Sequence, residues 1–489
     1  MDEERDGFLV SRMLVDHRPL LIGGSIPGGI NVGPMFFYIS AIPYYLSRLN
    51  PIGAAYAAGM IGIIGVVGIF WVGKELFDRR IGLLAAVLAG FSILNIIYQR
   101  PWWPLTLSQV VTLVVYLALF KLWKGPTPPR RSRTLINWLW VLVLALIVGA
   151  QSDPSTLSLI PLSIIWLWWY RRRIGLTGKH YLAAAGLFVL AHATWFIFEL
   201  RHDFQSTRAV SKLLSGVSWP YGQETPVWSG PTAVLKMTAA TVYRLFIPTG
   251  FLDVTKQISP AEEFLNARMN GVWWPTGWGV LLVIGSYIIG SLVGQPKIKQ
   301  ESPGRTARRL LATHFLVSLV GILAYTMMFP GYVHEWMWYF MFPGFFMMAA
   351  YVSVVVFDKV RPWVPRVGPL LIVSWVLWQV SLFLKLDNVA GLGKKLAVVK
   401  VAQQEIAGRP YELRSEGEGS LRYGGWRYLF TLYGKPPVKS YMDYVYEDWL
   451  YPKSEAEPEV IVTVVNKVDG LKQSIDEWGD SRAFGEDQK

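Results

Sequence analysis

Few side chains in this sequence could act as acids, bases or anion ligands, and most of them sit at the edges of apolar runs. The densest group opens the chain: Asp2-Glu3-Glu4-Arg5, then an amphipathic stretch through Phe8, Leu9, Met13 and Leu14. A Gly/Pro-rich passage follows, Gly23-Gly24 to Gly33-Pro34. Carboxylates at such a place suit acid–base work, and Asp2 with Glu3 could also hold a divalent metal, which is left undetermined. Arg100 follows an apolar run, Arg244 lies inside one, and His334 opens another. A guanidinium fork and a titratable imidazole both suit a phosphate. Each has a plainer reading. Asp2 and Glu3 also read as first-turn acids that favour a helix N-terminus, Arg244 as a snorkelling cation, and His334 as a polar cap at an interface. Asp153, between Ser152 and Pro154, is placed as a helix N-cap or as part of an acceptor site. Trp102 and Trp103 read as an interfacial belt or as a sugar platform.

The elements that must position these groups are membrane spans. The chain has 489 residues, of which 52% are hydrophobic and only 17% charged. Apolar runs of about 17–22 residues recur, long enough to cross about 30 Å of hydrocarbon. There is no cysteine, which excludes disulfides, thiolate catalysis and Cys-metal sites. The net charge of +13 is localised. Loops 74–80, 121–134, 171–179, 295–309 and 358–366 hold 20 Lys/Arg against 4 Asp/Glu, a net of +16, so the remainder is about −3. Basic residues confined to short inter-helix loops are the positive-inside signal, and nucleic-acid binding is excluded because no continuous basic surface forms.

Ten spans alternate around those loops: 53–73, 81–98, 106–123, 135–151, 154–170, 181–199, 278–294, 310–329, 337–357 and 367–386. Every basic loop then lies on one side, provided 34–49 and 233–250 are juxtamembrane helices at the outer interface. The expected fold is an all-α polytopic membrane protein with a small α/β C-terminal appendage. Residues 1–386 form the transmembrane domain, including a first outer loop (1–52) and a long outer loop (200–277). Residues 387–489 form the extracytoplasmic appendage, with a helical pattern near 394–407 and a strand-like 459–465. The N-terminus falls outside without a preceding span, so one transmembrane helix is expected upstream of Met1.

The stretch Asp2 to Leu14, with its acidic pair and amphipathic helix, resembles the first outer loop of the GT-C glycosyltransferases. The likeness is to the protein O-mannosyltransferase and aminoarabinose-transferase type. Leu21-Ile22-Gly23 to Gly33-Pro34-Met35-Phe36-Phe37-Tyr38 is similar to that family's loop and Gly-Pro-aromatic juxtamembrane helix. Glu75 to Ala86 is similar to its first cytoplasmic hairpin, and Gly149-Ala150-Gln151-Ser152-Asp153 and His334 to Pro343 also resemble family landmarks. The likeness covers roughly residues 2–385. It departs at Gly28-Gly29, where a loop Lys-Pro pair is absent, after Arg100, where a second acid is missing, and at Asp153, where relatives more often have His or Lys.

The resemblance implies inverting transfer of a sugar from a polyprenyl phosphate to a protein, lipid or glycan acceptor outside the plasma membrane. Asp2 would be the base, with Glu3 orienting it or binding the acceptor, and Arg244, His334 and Arg100 would face the donor phosphate. Gly23-Gly24 and Gly28-Gly29 lack the Walker lysine and its strand–helix context, which argues against a nucleotide-sugar donor. The alternative is a transporter or flippase of lipid-linked sugars, which would line a path with charged residues inside spans.

Overall fold

The structure is a computed structural model describing residues 2–26, 29–125, 131–215, 231–248, 273–293, 302–328, 335–360, 362, 366–385, 391–417, 425–443, 450–451, 454–467 and 470–477. It is a multi-pass helical membrane protein with a small α/β unit at its C-terminal end. Five helices are long and apolar enough to cross a membrane: Pro51–Leu76, Pro104–Lys124, Thr134–Ser152, Pro303–Met327 and Glu335–Val360. Two bent pairs, Arg79–Phe91 with Ile93–Gln99 and Gly178–Ala191 with Ala193–Arg201, add two more candidate spans. The shorter apolar helices Pro154–Trp169, Gly277–Leu292 and Val367–Phe383 coincide with the remaining spans expected from the sequence.

Local chemistry explains the first hairpin. Asn50 caps the helix Pro51–Leu76, its side chain accepting the Ile52 N–H at 3.0 Å with Pro51 at the first turn. That helix buries a stripe of small residues, Ala54, Ala58, Gly62, Gly65 and Gly73, which lets a neighbouring backbone approach closely. Asp78 turns the chain, accepting the N–H groups of Arg80 (2.7 Å) and Ile81 (2.9 Å). A Cβ on Gly82 would stand 2.5 Å from the Phe70 carbonyl oxygen, so the two helices meet backbone to backbone there. The 68° bend between Arg79–Phe91 and Ile93–Gln99 is held by other helices. Ser92 donates to the Leu245 carbonyl at 2.7 Å, and the Ile93 N–H donates to Gln379 at 3.2 Å.

The described ends of the five basic loops meet at one end of the bundle. Lys121 pairs with Glu75 (2.5 Å) and Arg80 with Asp358 (2.6 Å). Arg173 donates to the Trp123 carbonyl at 3.0 Å with its guanidinium over that indole, and Arg309 donates to the Tyr170 hydroxyl at 3.1 Å. At the opposite end the helix Met35–Leu46 is 12 residues long, too short at 1.5 Å per residue to cross the bilayer. It buries Phe36, Phe37 and Tyr44 while leaving Ile42, Tyr45 and Leu46 exposed, the profile of a helix lying in the interface. Trp102 anchors it, donating to Ser40 at 2.8 Å. This indole is 7% exposed, so it serves packing rather than a lipid belt or a sugar platform.

In the C-terminal unit, strand Tyr411–Gly417 lies between Lys439–Ser440 and Val460–Lys467, parallel to both, with Gly470–Glu477 antiparallel at the edge. The run Val460 to Val464 is buried at every position, alternate residues included, as expected for a strand covered on both faces. Helices Leu392–Ile406 and Trp426–Tyr433 cover one of those faces, Val399, Ala402, Trp426 and Phe430 clustering with Val460, Val462 and Val464.

Candidate functional site

A buried polar patch sits at the end of the bundle away from the basic loops. Arg244 comes from the helix Pro231–Phe246, whose Ala233, Ala239, Ala240 and Thr241 allow deep packing. Its Nη1 lies 2.9 Å from Glu335 Oε2, and both side chains are only 3% exposed. Arg244 therefore does not snorkel; a carboxylate meets it inside the protein. The Tyr98 hydroxyl donates to the same Glu335 oxygen at 3.2 Å. The ring of Tyr98 lies 5.7 Å from that of Tyr339, which brings the helix end at 98 against the turn Glu335–Met341.

Asp153 continues the patch. It is fully buried and caps the turn Pro154–Ser158, accepting the Ser155 N–H at 3.0 Å and the Ser155 hydroxyl at 2.5 Å. Burial pushes its carboxyl up to about 6, against the pull of its hydrogen bonds to Ser155 and Ser108. The turn Pro154–Ser158 packs on the turn Glu335–Met341, which carries Tyr339. Two buried hydroxyls here, Ser152 Oγ and Tyr339 Oη, have no hydrogen-bond partner among the described residues.

The first loop reaches this rim. Strands Ser25–Ile26 and Ile30–Asn31 pair antiparallel, and Asn31 binds Ser206 while its carbonyl accepts from the Trp195 indole at 3.0 Å. Gly33 lies flat against Gln151, where a Cβ would stand 2.6 Å from Gln151 Cγ. Upstream, the helix Asp2–Val15 carries the acidic cluster. Arg5 clasps Asp6 through Nε (3.1 Å) and Nη2 (2.9 Å). Glu4 is buried and accepts the Tyr428 N–H at 3.0 Å, in the first turn of the helix Trp426–Tyr433. Burial raises the Glu4 carboxyl to about 6, and the Tyr428 N–H pulls the other way.

Solved structures with a similar course of the chain exist. The archaeal oligosaccharyltransferase AglB from Archaeoglobus fulgidus, in complex with an inhibitory peptide and a dolichol-phosphate, aligns over 95% of this chain at 11% identity and a TM-score of 0.49. ArnT from Cupriavidus metallidurans, bound to undecaprenyl phosphate, aligns over 95% of this chain and 88% of its own, at 12% identity and a TM-score of 0.48. This chain spans 65% of the length of the oligosaccharyltransferase. No protein-family model matches the sequence, and no curated protein matches it.

Of the residues singled out from the sequence, Arg244 and Asp153 share the buried patch, linked through Glu335, Tyr98 and Tyr339. Arg100 stands apart: it is exposed, and its side chain makes no ion pair or hydrogen bond among the described residues. Its interior place is taken by Tyr98, two residues earlier. His334 lies outside the described residues. Asp2 and Glu3 begin the N-terminal helix, and their side chains lie outside the described set. Among the described residues no three His, Asp or Glu side chains gather as a metal site. Glu335 and Tyr98 were missed by sequence reasoning. A carboxylate in the apolar run after His334 was the available signal for Glu335; Tyr98 gave none, being one aromatic among many.

Proposed function

We propose that this chain is a membrane glycosyltransferase. It transfers a sugar from a polyprenyl-phosphate donor to a protein, lipid or glycan acceptor at the outer face of the plasma membrane. The observation that carries this reading is the division of the molecule into two ends. The five basic loops join at one end through Lys121–Glu75, Arg80–Asp358, Arg173–Trp123 and Arg309–Tyr170. By the positive-inside rule that end is cytoplasmic. The acidic helix, the buried patch and the C-terminal unit then face outward, where a lipid-linked sugar rather than a nucleotide sugar is the donor at hand.

In the reaction, Asp2 takes the proton of the acceptor hydroxyl, with Glu3 orienting it or holding the acceptor. The acceptor oxygen attacks the anomeric carbon from the face opposite the phosphate. The carbon–oxygen bond to phosphate breaks, polyprenyl phosphate leaves, and the configuration inverts. Arg244, held in place by Glu335, supplies a fixed cation for the departing phosphate, with His334 beside Glu335 in sequence as a second ligand. Ser152 Oγ and Tyr339 Oη, buried without hydrogen-bond partners among the described residues, are groups that sugar hydroxyls would satisfy.

The test is incubation of purified protein in lipid nanodiscs with polyprenyl-phosphate sugars, scoring release of polyprenyl phosphate. Transfer from a nucleotide sugar instead would overturn the donor assignment. A flippase of lipid-linked sugars is the second reading. The observation on its side is His314, buried within a span and bonded to the Tyr116 hydroxyl at 2.6 Å. Movement of lipid-linked sugar between leaflets without cleavage would favour it.

A further inference from the structure

The C-terminal unit grips the helix that carries the acidic pair through Tyr428 and through Tyr451, whose ring lies 5.1 Å from that of Phe8. The Tyr428 N–H donates to Glu4 at 3.0 Å, and its hydroxyl donates to the Leu49 carbonyl at 2.7 Å. Its ring meets Phe8 edge to face at 5.2 Å and 86°. Gly7 leaves room for that ring: a Cβ there would stand 2.9 Å from Tyr428 Cε2. Glu4, Gly7 and Phe8 follow a spacing of three and four residues, one face of a helix. Tyr428 is thus tied to the first helix and to the juxtamembrane corner at Leu49, and it packs in one buried cluster with Phe8 and with Met442, Leu450 and Tyr451 of the tail.

We propose that Tyr428 is a positioning residue: it fixes the rotation and height of the N-terminal helix and so sets where Asp2 and Glu3 stand. The grip acts on the helix through the face that carries Glu4, Gly7 and Phe8. A helix of three or four turns takes its roll from what packs on its faces. The catalytic consequence rests on the reading of Asp2 and Glu3 as the base and its partner; the mechanical one does not.

The experiment has two arms on the full chain in nanodiscs. The sequence contains no cysteine, so Val15→Cys and Val401→Cys, both at exposed positions, accept spin labels cleanly. Pulsed electron spin resonance then reads the distance between the first helix and the tail. One narrow distance population is expected for the otherwise wild-type chain and for Tyr428→Phe, which keeps the ring and the N–H. Tyr428→Ala and Gly7→Ala should broaden it, the second without touching the tail core. In the activity arm, both should lower kcat about tenfold or more with the KM for the lipid donor unchanged, as expected for a displaced catalytic group. A narrow distribution in both Tyr428→Ala and Gly7→Ala overturns the grip. Broadening with full turnover overturns the link to the acidic pair. If the wild-type chain transfers no sugar, the functional reading fails while the distance arm still judges the grip.

Discussion

Removing the Arg244–Glu335 pair one partner at a time separates its structural weight from its role toward a phosphate. Both side chains are 3% exposed and the contact is 2.9 Å, so a single deletion removes one partner of a buried ion pair. That costs about 3–5 kcal/mol. The two deletions are not equivalent. A buried carboxylate can shed its charge by taking up a proton, and after Arg244→Met it still receives the Tyr98 hydroxyl. A guanidinium stays charged at any working pH, so Glu335→Leu should fall at the upper end of the range and Arg244→Met at the lower. The double variant replaces the pair with apolar groups of similar bulk and should lie within about 1–2 kcal/mol of wild type. Unfolding in mixed micelles, followed by fluorescence of the 23 tryptophans, gives the three values and a coupling energy expected to exceed about 2 kcal/mol. The double variant should then be stable but unable to release polyprenyl phosphate. Single effects that add within about 0.5 kcal/mol would show the pair is not coupled, and the account of Arg244 as a cation held ready by Glu335 would be withdrawn.

Asp2→Asn should abolish sugar transfer while the protein remains folded, as judged by monodispersity and thermal unfolding; wild-type turnover would remove Asp2 as base. Asp153→Asn keeps an oxygen for the Ser155 N–H and removes a charge that burial disfavours, so stability should hold or rise at neutral pH. Loss of transfer in that stable variant would assign Asp153 to the acceptor site, and full activity would leave it a cap. Glu4 has its carboxyl raised from 4.5 to about 6, so the folded state holds its proton more tightly than the unfolded chain. Its contribution is full below about pH 4.5 and is lost as pH rises through about 6, a swing of about 2 kcal/mol. Glu4→Gln keeps the acceptor for the Tyr428 N–H and should flatten that part of the stability–pH curve, measured from pH 4 to 8. Gly82→Val would drive side-chain atoms into the Phe70 carbonyl, 2.5 Å from the new Cβ. It should destabilise by about 1–3 kcal/mol or more, read by the same micelle titration.

The spans were legible because a bilayer imposes one length and one composition, and the loop charges then fix which ends go together. Ten expected spans fall on helices or bent helix pairs, and the basic loops do converge. The bends at Ser92 and His192 were not legible, because what holds Ser92 is a carbonyl at Leu245 and an amide at Gln379, more than a hundred residues away. Candidate-site residues divide along the same line. Arg244 stood out because a cation in an apolar run demands an explanation, but the sequence offered the interface as that explanation. Its partner Glu335 lies 91 residues on, and local pattern carries no information about such a pairing. Arg100 illustrates the opposite error. Its charge drew attention, yet the inward position belongs to Tyr98, whose hydroxyl reaches Glu335; helix register, not residue type, decides which of the two faces the patch.

The acidic cluster at the start shows how one run of like residues can be divided by structure. Asp2, Glu3, Glu4 and Asp6 read as one group in sequence, but Asp6 is clasped by Arg5 and Glu4 is committed to the tail helix. A carboxylate whose oxygen already accepts a backbone N–H deep inside the protein is poorly placed to take a proton from an acceptor. That leaves Asp2 and Glu3 as the carboxylates proposed to meet the acceptor hydroxyl. On that proposal the C-terminal unit serves the chemistry by holding the first helix, through the Tyr428 N–H on Glu4, rather than by supplying a reacting group.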